Sequence, residues 1–276
     1  MPRAASLVLA LGVLSACAER PAERVLEVIG MEYAFQVPDS VDAGRTVVRL
    51  RNDGKVLHEM IVMKLQRGST VKDLIDAQAA ALTVRPFIEG GNAVLFAPPA
   101  KTGDGELVVN FEPGRDYVLW CNFTDGEGKP QHATLGMFKR IHVRDASPAS
   151  AALGAQVVNV DAGDYAFRLP DTLPAGLTEF RMQNTGAQRH EISFARIKRG
   201  ATASFFMSEY LQKRNIDSLY DNDGAILTAY AGDTNRFAMR AQLESGRSYI
   251  LLCEFQDTPD SPVHATLGMF KEIVVR

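Results

Sequence analysis

The sequence predicts an all-β fold made of two tandem Greek-key β-sandwich domains, each with one short inserted helix. Three observations carry that prediction. The chain repeats itself at an offset of 132 residues: Glu32-Tyr33-Ala34-Phe35-Gln36-Val37-Pro38-Asp39 returns as Asp164-Tyr165-Ala166-Phe167-Arg168-Leu169-Pro170-Asp171. The window 115–144 matches 247–276 without a gap, with 18 of 30 residues identical. Within each copy, short β-type runs alternate with turn signals, and one segment has helical spacing instead. A period this long makes each repeat a whole domain rather than a solenoid unit.

In the first copy the strand candidates are Val25–Val37, Thr46–Arg51, Glu59–Leu65, Ala93–Ala97, Glu106–Phe111, Tyr117–Phe123 and Met137–Val143. Asn52-Asp53-Gly54, Pro98-Pro99 and Glu112-Pro113-Gly114 supply turns between them. Ser69–Ala77 opens with cap-like residues and continues with helical spacing, and its counterpart is Ala201–Leu211. About seven short strands per copy fit a sandwich. An immunoglobulin domain would normally bring two cysteines to bridge its sheets, and each copy here has one. Asp145–Ala152, rich in Ala, Ser and Pro, divides the copies. The predicted domains are therefore 25–144 and 157–276, with a linker over 145–156.

Composition narrows the function. Hydrophobic residues are 46% and charged residues 23% of 276, which excludes a disordered chain and a multi-span membrane protein. The net charge of −3, with no basic block, gives no reason to expect a nucleic-acid partner. Residues 1–17 read as an export signal: Arg3 precedes an apolar run from Ala4 to Ala16 that is too short for a permanent span. Its end, Leu14-Ser15-Ala16-Cys17, resembles the lipobox of bacterial lipoproteins, which implies cleavage before Cys17 and lipidation of that residue. An ordinary secretory signal is the alternative. The expected location is extracytoplasmic or periplasmic, with membrane contact through the lipid anchor only.

The chemistry gathers at the end of each copy. Tyr117–Phe123 contains Cys121, and His132 and Met137 follow it. Tyr249–Phe255 contains Cys253, and His264 and Met269 follow in the same way. One further histidine stands at the mouth of an earlier strand in each copy, His58 and His190. All four residue types recur at the same offset, whereas His142 maps onto Val274, and Met60 and Met63 map onto Ile192 and Ala195. Those unmatched residues are expected to be structural. Two imidazoles, a thiolate and a weak thioether are the donor set of a blue-copper site, a compromise between the preferences of Cu(I) and Cu(II).

At these residues the chain resembles the cupredoxin family, that of plastocyanin and azurin, over both repeats. The resemblance implies one copper per domain, two per chain. His58, Cys121, His132 and Met137 would be the ligands of the first, and His190, Cys253, His264 and Met269 those of the second. It further implies single-electron transfer with a redox partner protein at the exposed edge of the second histidine. Two features depart from the family pattern. Ten residues separate the cysteine from the second histidine, and Glu59 or Glu191 follows the first histidine where Asn is common.

Other readings of the same residues remain. They include copper storage or delivery, a metal-free cupredoxin-like binding lipoprotein, zinc, a Cys121–Cys253 disulfide, and a nucleophilic cysteine with a histidine base. After the four candidate histidines only His142 is left, and the sequence has no His-x-His pair. The histidine count therefore predicts no additional copper site for substrate, and so a protein that is not an enzyme.

Overall fold

A computed structural model describes residues 23–145 and 154–276. The signal at 1–17, the Cys17 anchor and most of the linker lie outside the described residues. The first copy forms ten strands: β1 (Val25–Met31), β2 (Ala34–Gln36), β3 (Ser40–Asp42), β4 (Gly44–Asn52), β5 (His58–Leu65), β6 (Ile88–Ala97), β7 (Lys101–Thr102), β8 (Glu106–Phe111), β9 (Asp116–Trp120) and β10 (Phe138–Arg144). The second forms β11 (Gln156–Gly163), β12 (Ala166–Arg168), β13 (Thr172–Leu173), β14 (Gly176–Asn184), β15 (His190–Ile197), β16 (Tyr220–Ala229), β17 (Thr234–Leu243), β18 (Ser248–Leu252) and β19 (Phe270–Val275). Helices α1 (Val71–Ala79) and α2 (Ala203–Leu211) are inserted after β5 and β15. The fold is built of β-strands with one short helix inserted in each copy, the class the sequence predicts.

The expected single run Val25–Val37 divides into β1 and β2, because the chain turns at Glu32-Tyr33 and folds back as an antiparallel pair. Helix α1 begins where its cap dictates. The Thr70 hydroxyl accepts the Asp73 N–H, and the Asp73 carboxylate accepts the Thr70 N–H at 2.7 Å, a closed capping box. Thr202 caps α2 alone, accepting from the Phe205 N–H at 3.1 Å. Thr70→Ala is expected to destabilise the protein by about 1 kcal/mol, read from urea denaturation.

The sheets run through both copies. One sheet has the order β12-β11-β14-β17-β8-β4-β1-β2, with β7 also on β4. The other runs β13-β19-β18-β15-β16-β6-β5-β9-β10-β3. The copies thus meet edge to edge twice, through β17–β8 and β16–β6, both antiparallel. Leu107 faces Met239 at one junction and Val94 faces Ile226 at the other. Each of these is a pair of residues equivalent under the 132-residue offset, so a single pseudo-twofold axis passes through both junctions. Pairing in this way removes two open edges from each copy.

One buried cluster fills the space between the sheets across both copies, with Leu107 and Val109 joining Phe237 and Met239. Gly91 is needed at the junction. Its φ is +83°, and a Cβ there would fall on the Thr228 carbonyl oxygen of β16. Smaller clusters lie under each helix, around Leu74 below α1 and around Phe206 below α2. Charges also cross the junction: Arg45 pairs with Glu179 at 2.5 Å, and the buried Arg240 bonds Glu106 at 2.6 Å and Glu23 at 2.7 Å.

Candidate metal centres

Each copy gathers one cysteine and two histidines at one end of the sandwich. His58 is the first residue of β5 and is held by the turn before it. Asn52, at the end of β4, donates to the Val56 and Ala97 carbonyls at 2.7 and 2.8 Å and accepts the Gly54 N–H at 2.8 Å. Asn184 repeats this arrangement with Gln188, Ala229 and Gly186 ahead of His190. A polar side chain buried at a strand end thus satisfies two backbone groups of the loop before the histidine and ties them to the end of the neighbouring strand.

Cys121 follows β9 directly, and the ten-residue loop after it closes on itself. A Thr124–Gln131 bridge narrows the loop, and His132 N–H donates to the Phe123 carbonyl at 2.8 Å. Ala133 N–H reaches the Cys121 carbonyl at 2.8 Å, and Cys121 N–H reaches Met137 O at 3.2 Å. The second copy repeats the cysteine and histidine bonds: His264 to Phe255, Ala265 to Cys253, and Cys253 to Met269. The long loop therefore returns the second histidine to its cysteine by ordinary backbone hydrogen bonds. Met137 and Met269 are fully buried. The Met137 methyl and the His58 ring both converge over Gly30.

The donor atoms face one another. His58 Nδ1 lies 3.2 Å from His132 Nδ1, and Cys121 Sγ lies 3.5 Å from His132 Nδ1. In the second copy His190 Nδ1 and His264 Nδ1 are 3.1 Å apart, with Cys253 Sγ at 3.4 Å from His264 and 3.8 Å from His190. A triangle with such sides has its centre about 2 Å from each vertex, a metal–imidazole bond length. All six residues are buried, and these two triads are the groups among the described residues whose Cys and His donors could jointly hold an ion.

The surroundings prepare those atoms. Burial, and then the neighbouring histidine, hold the His58 imidazole below its ordinary pKa. Burial does the same at His190 against the pull of Asp164. Both rings are thereby kept neutral, with one nitrogen of each able to donate a lone pair. Burial pushes the Cys121 thiol up to about 11 and the Cys253 thiol to about 12. Opposing that, the N–H groups of Glu59 and Phe123 point at Cys121 Sγ, and those of Glu191 and Phe255 at Cys253 Sγ. The Glu191 N–H···Sγ distance is 3.4 Å. The carboxylates of Glu59 and Glu191 turn away from the triads: they accept the N–H of Asn122 at 2.8 Å and of Glu254 at 3.0 Å, the residues just after each cysteine.

Several residues of the site carried no signal of their own in the sequence. Asp125 Oδ1 bonds His132 Nε2 at 2.9 Å, and Asp257 Oδ1 bonds His264 Nε2 at 3.1 Å. Tyr33 and Tyr165 donate to those aspartates and stand edge-on to the same rings. Between the cysteine and the second histidine, only Phe, Asp and Pro recur at the offset, so comparing the two loops would have found the aspartate. These contacts cover the outer edge of the second histidine, which the family resemblance makes exposed; His132 and His264 are fully buried here.

The copies differ at the first histidine. Asp164 Oδ1 bonds His190 Nε2 at 2.5 Å, whereas its longer counterpart Glu32 takes the Lys55 N–H, and His58 Nε2 has no partner. Burial would raise the Asp164 carboxyl, but bonds from the Ala187 N–H and His190 hold it below the usual carboxylate range.

The two centres lie at opposite ends of the β6–β16 pair. His58 is opposite Ala97 at the end of β6, and His190 is opposite Ala229 at the end of β16. Counting strand rise along the pair and strand spacing across it, the first histidines are roughly 25 Å apart. That separation leaves Cys121 and Cys253 as free thiols rather than a disulfide.

No protein-family model matches the chain, and no curated protein matches it. Solved structures do resemble it. Reduced auracyanin from the photosynthetic bacterium Roseiflexus castenholzii is 21% identical, with a TM-score of 0.29, over 45% of this chain and 99% of that one. The copper-containing nitrite reductase of Thermus scotoductus is 15% identical, with a TM-score of 0.24, over 92% of this chain and 62% of that one. The McoA multicopper oxidase of Aquifex aeolicus is 9% identical, with a TM-score of 0.29, over 92% of this chain and 66% of that one. The nitrite reductase and the multicopper oxidase named here are enzymes, and the expectation that this protein is not one, drawn from the histidine count, is withdrawn. Among the described residues no helix is long and apolar enough to cross a membrane.

Proposed function

We propose that this chain is a copper protein of electron transfer, with two tandem cupredoxin domains over 25–144 and 157–276 and one type 1-like copper in each. The observation that supports it most is the pair of buried Cys-His-His triangles, whose imidazole Nδ1 atoms already converge on a point beside the thiol. His58, Cys121, His132 and Met137 would hold one ion, and His190, Cys253, His264 and Met269 the other. Copper bound there would supply a one-electron couple.

The chain's own groups do the rest. The apolar core keeps water from the donors. The backbone N–H groups aimed at each sulfur favour the thiolate, and Asp125, Asp257 and Asp164 hold three of the four rings through their outer nitrogens. Donors fixed in this way before metal arrives suit an ion that must change oxidation state with little rearrangement. In this reading Cys17 carries the lipid that anchors an exported protein, and the electron-exchange partner is another protein.

Titration of the full chain with Cu(II), followed by visible absorption and electron paramagnetic resonance, tests the proposal. Two equivalents bound with an intense thiolate-to-copper band are expected, together with reversible one-electron reduction. A protein that binds no copper tightly would sink it, and binding without the band or the redox couple would favour storage. Asp164→Ala is expected to weaken copper at the second centre by about 10–100-fold in competition with a chelator. Glu32→Ala should leave the first centre unchanged, because that carboxylate holds Lys55 instead.

A further inference from the structure

Between α1 and the ten-stranded sheet, against the pseudo-twofold axis, lies a cavity of about 500 Å³. That size suits a small organic molecule. Ile61, Met63, Leu74, Phe96 and Trp120 give it apolar walls, and Leu82, 66% exposed, stands at its rim. Two polar groups in the walls have no partner. Asn92 is 7% exposed and shares the face of β6 with Val94 and Phe96, which also line the cavity; its Oδ1 accepts nothing. Arg189 lies between the rings of Tyr230 and Phe255 and reaches Thr228 with one terminal nitrogen, leaving its buried Nε–H unbonded. Buried polar groups are ordinarily paired, so an orphan acceptor and an orphan donor in the walls of one cavity call for a complementary guest.

The axis relates this cavity to a second one, of about 440 Å³, under α2. There the positions equivalent to Asn92, Arg189 and Thr228 are Gly224, Leu57 and Phe96, and Leu252 replaces Trp120. Asn92 and Arg189 thus have no polar counterpart at the equivalent positions of the sequence.

We infer that the cavity under α1 binds an uncharged, ring-shaped, mostly apolar molecule bearing a hydroxyl group. A hydroxyl donates to Asn92 Oδ1 and accepts from Arg189 Nε–H. The carboxyl groups of Glu59 and Glu191 line the space beside the Arg189 guanidinium, so charge alone favours neither an anionic nor a cationic guest. This inference does not depend on the metal reading, since the cavity is built from groups other than the triads.

The metal-free full chain provides the test, because Trp120 is the only tryptophan and lies in the cavity wall. Titration with 4-ethylphenol, ethylbenzene and 4-ethylbenzoate would be followed by Trp120 emission and calorimetry. We expect saturable binding of one 4-ethylphenol per chain, with the other two at least about tenfold weaker. In Asn92→Leu and in Arg189→Met the phenol should lose about that factor, and ethylbenzene should not. No saturable binding, or equal affinity for 4-ethylphenol and ethylbenzene, would overturn the inference. Full phenol affinity in both variants would do so too. Should a variant fail to fold, the ligand series on the unaltered protein decides alone.

Discussion

Replacing Cys121 by serine is expected to remove about half of the thiolate-to-copper absorption, and Cys253→Ser the other half. Each site has one cysteine, and the two sites lie roughly 25 Å apart, measured between their first histidines, at opposite ends of the β6–β16 pair, too far to share a ligand. Substitutions at that distance with no common partner add, so the double variant should be colourless. Its remaining copper, held by imidazoles, should give the wide hyperfine pattern of ordinary Cu(II). Absorption and paramagnetic resonance on the three variants would settle the matter. Loss of the whole band from either single variant would mean one shared site and would end the two-site reading.

The largest effect on stability is expected far from the metal centres. Lys64 is 1% exposed, and its Nζ lies 2.8 Å from Glu89 and 2.7 Å from Glu112. Arg115 completes the group, at 2.5 Å from Glu89 and 2.8 Å from the Leu65 carbonyl. Lys64→Ala removes a buried cation from two carboxylates that solvent still reaches, 20% and 36% exposed, which costs about 1–3 kcal/mol. The second copy repeats the network as Arg196, Asp221, Glu244 and Arg247. Arg196→Ala should cost less, because that side chain is 26% exposed and solvent relieves the charges left behind.

The same network gives a dependence on pH. Burial would raise the Glu89 carboxyl, but Arg115 and Lys64 overrule it and hold it down to about 2. A carboxyl depressed on folding stabilises the protein fully above its unfolded value near 4.5, and that contribution is lost as pH falls towards 2. Urea denaturation at neutral pH and at pH 3 should therefore show Lys64→Ala and the unaltered protein drawing closer in stability as the solution is acidified. A gap that stays constant or widens would contradict this account of Glu89.

The sequence by itself determined the β class and the repeat, and it pointed to the candidate donor set. Each has a one-dimensional signature: alternating apolar residues between turns, a constant offset, and four metal-binding residue types recurring at it. It also determined the helix insertions, because Thr70 and Thr202 announce their caps. The partners of the ring nitrogens were legible only in part. Asp125 and Asp257 could be found by comparing the loops, but nothing in the spacing tells that Asp164 reaches His190 while Glu32 stops at Lys55. Both carboxylates take the N–H three residues ahead of the histidine, that of Lys55 or of Ala187, and only packing decides that Asp164 also meets the ring.

The largest matter left to the tertiary structure is how the two copies join. A strand that ends a sheet and a strand that pairs with another copy carry the same alternation of residues, so β6, β8, β16 and β17 read alike in either role. Their pairing depends on two surfaces meeting about an axis that has no trace along the chain. Lys64 is similar. In sequence it is a charged residue near the end of a strand, and only Glu89 and Glu112, brought there by β6 and the turn after β8, allow it to be buried. Charge pairing and edge pairing are contacts between distant segments, and distance along the chain erases both.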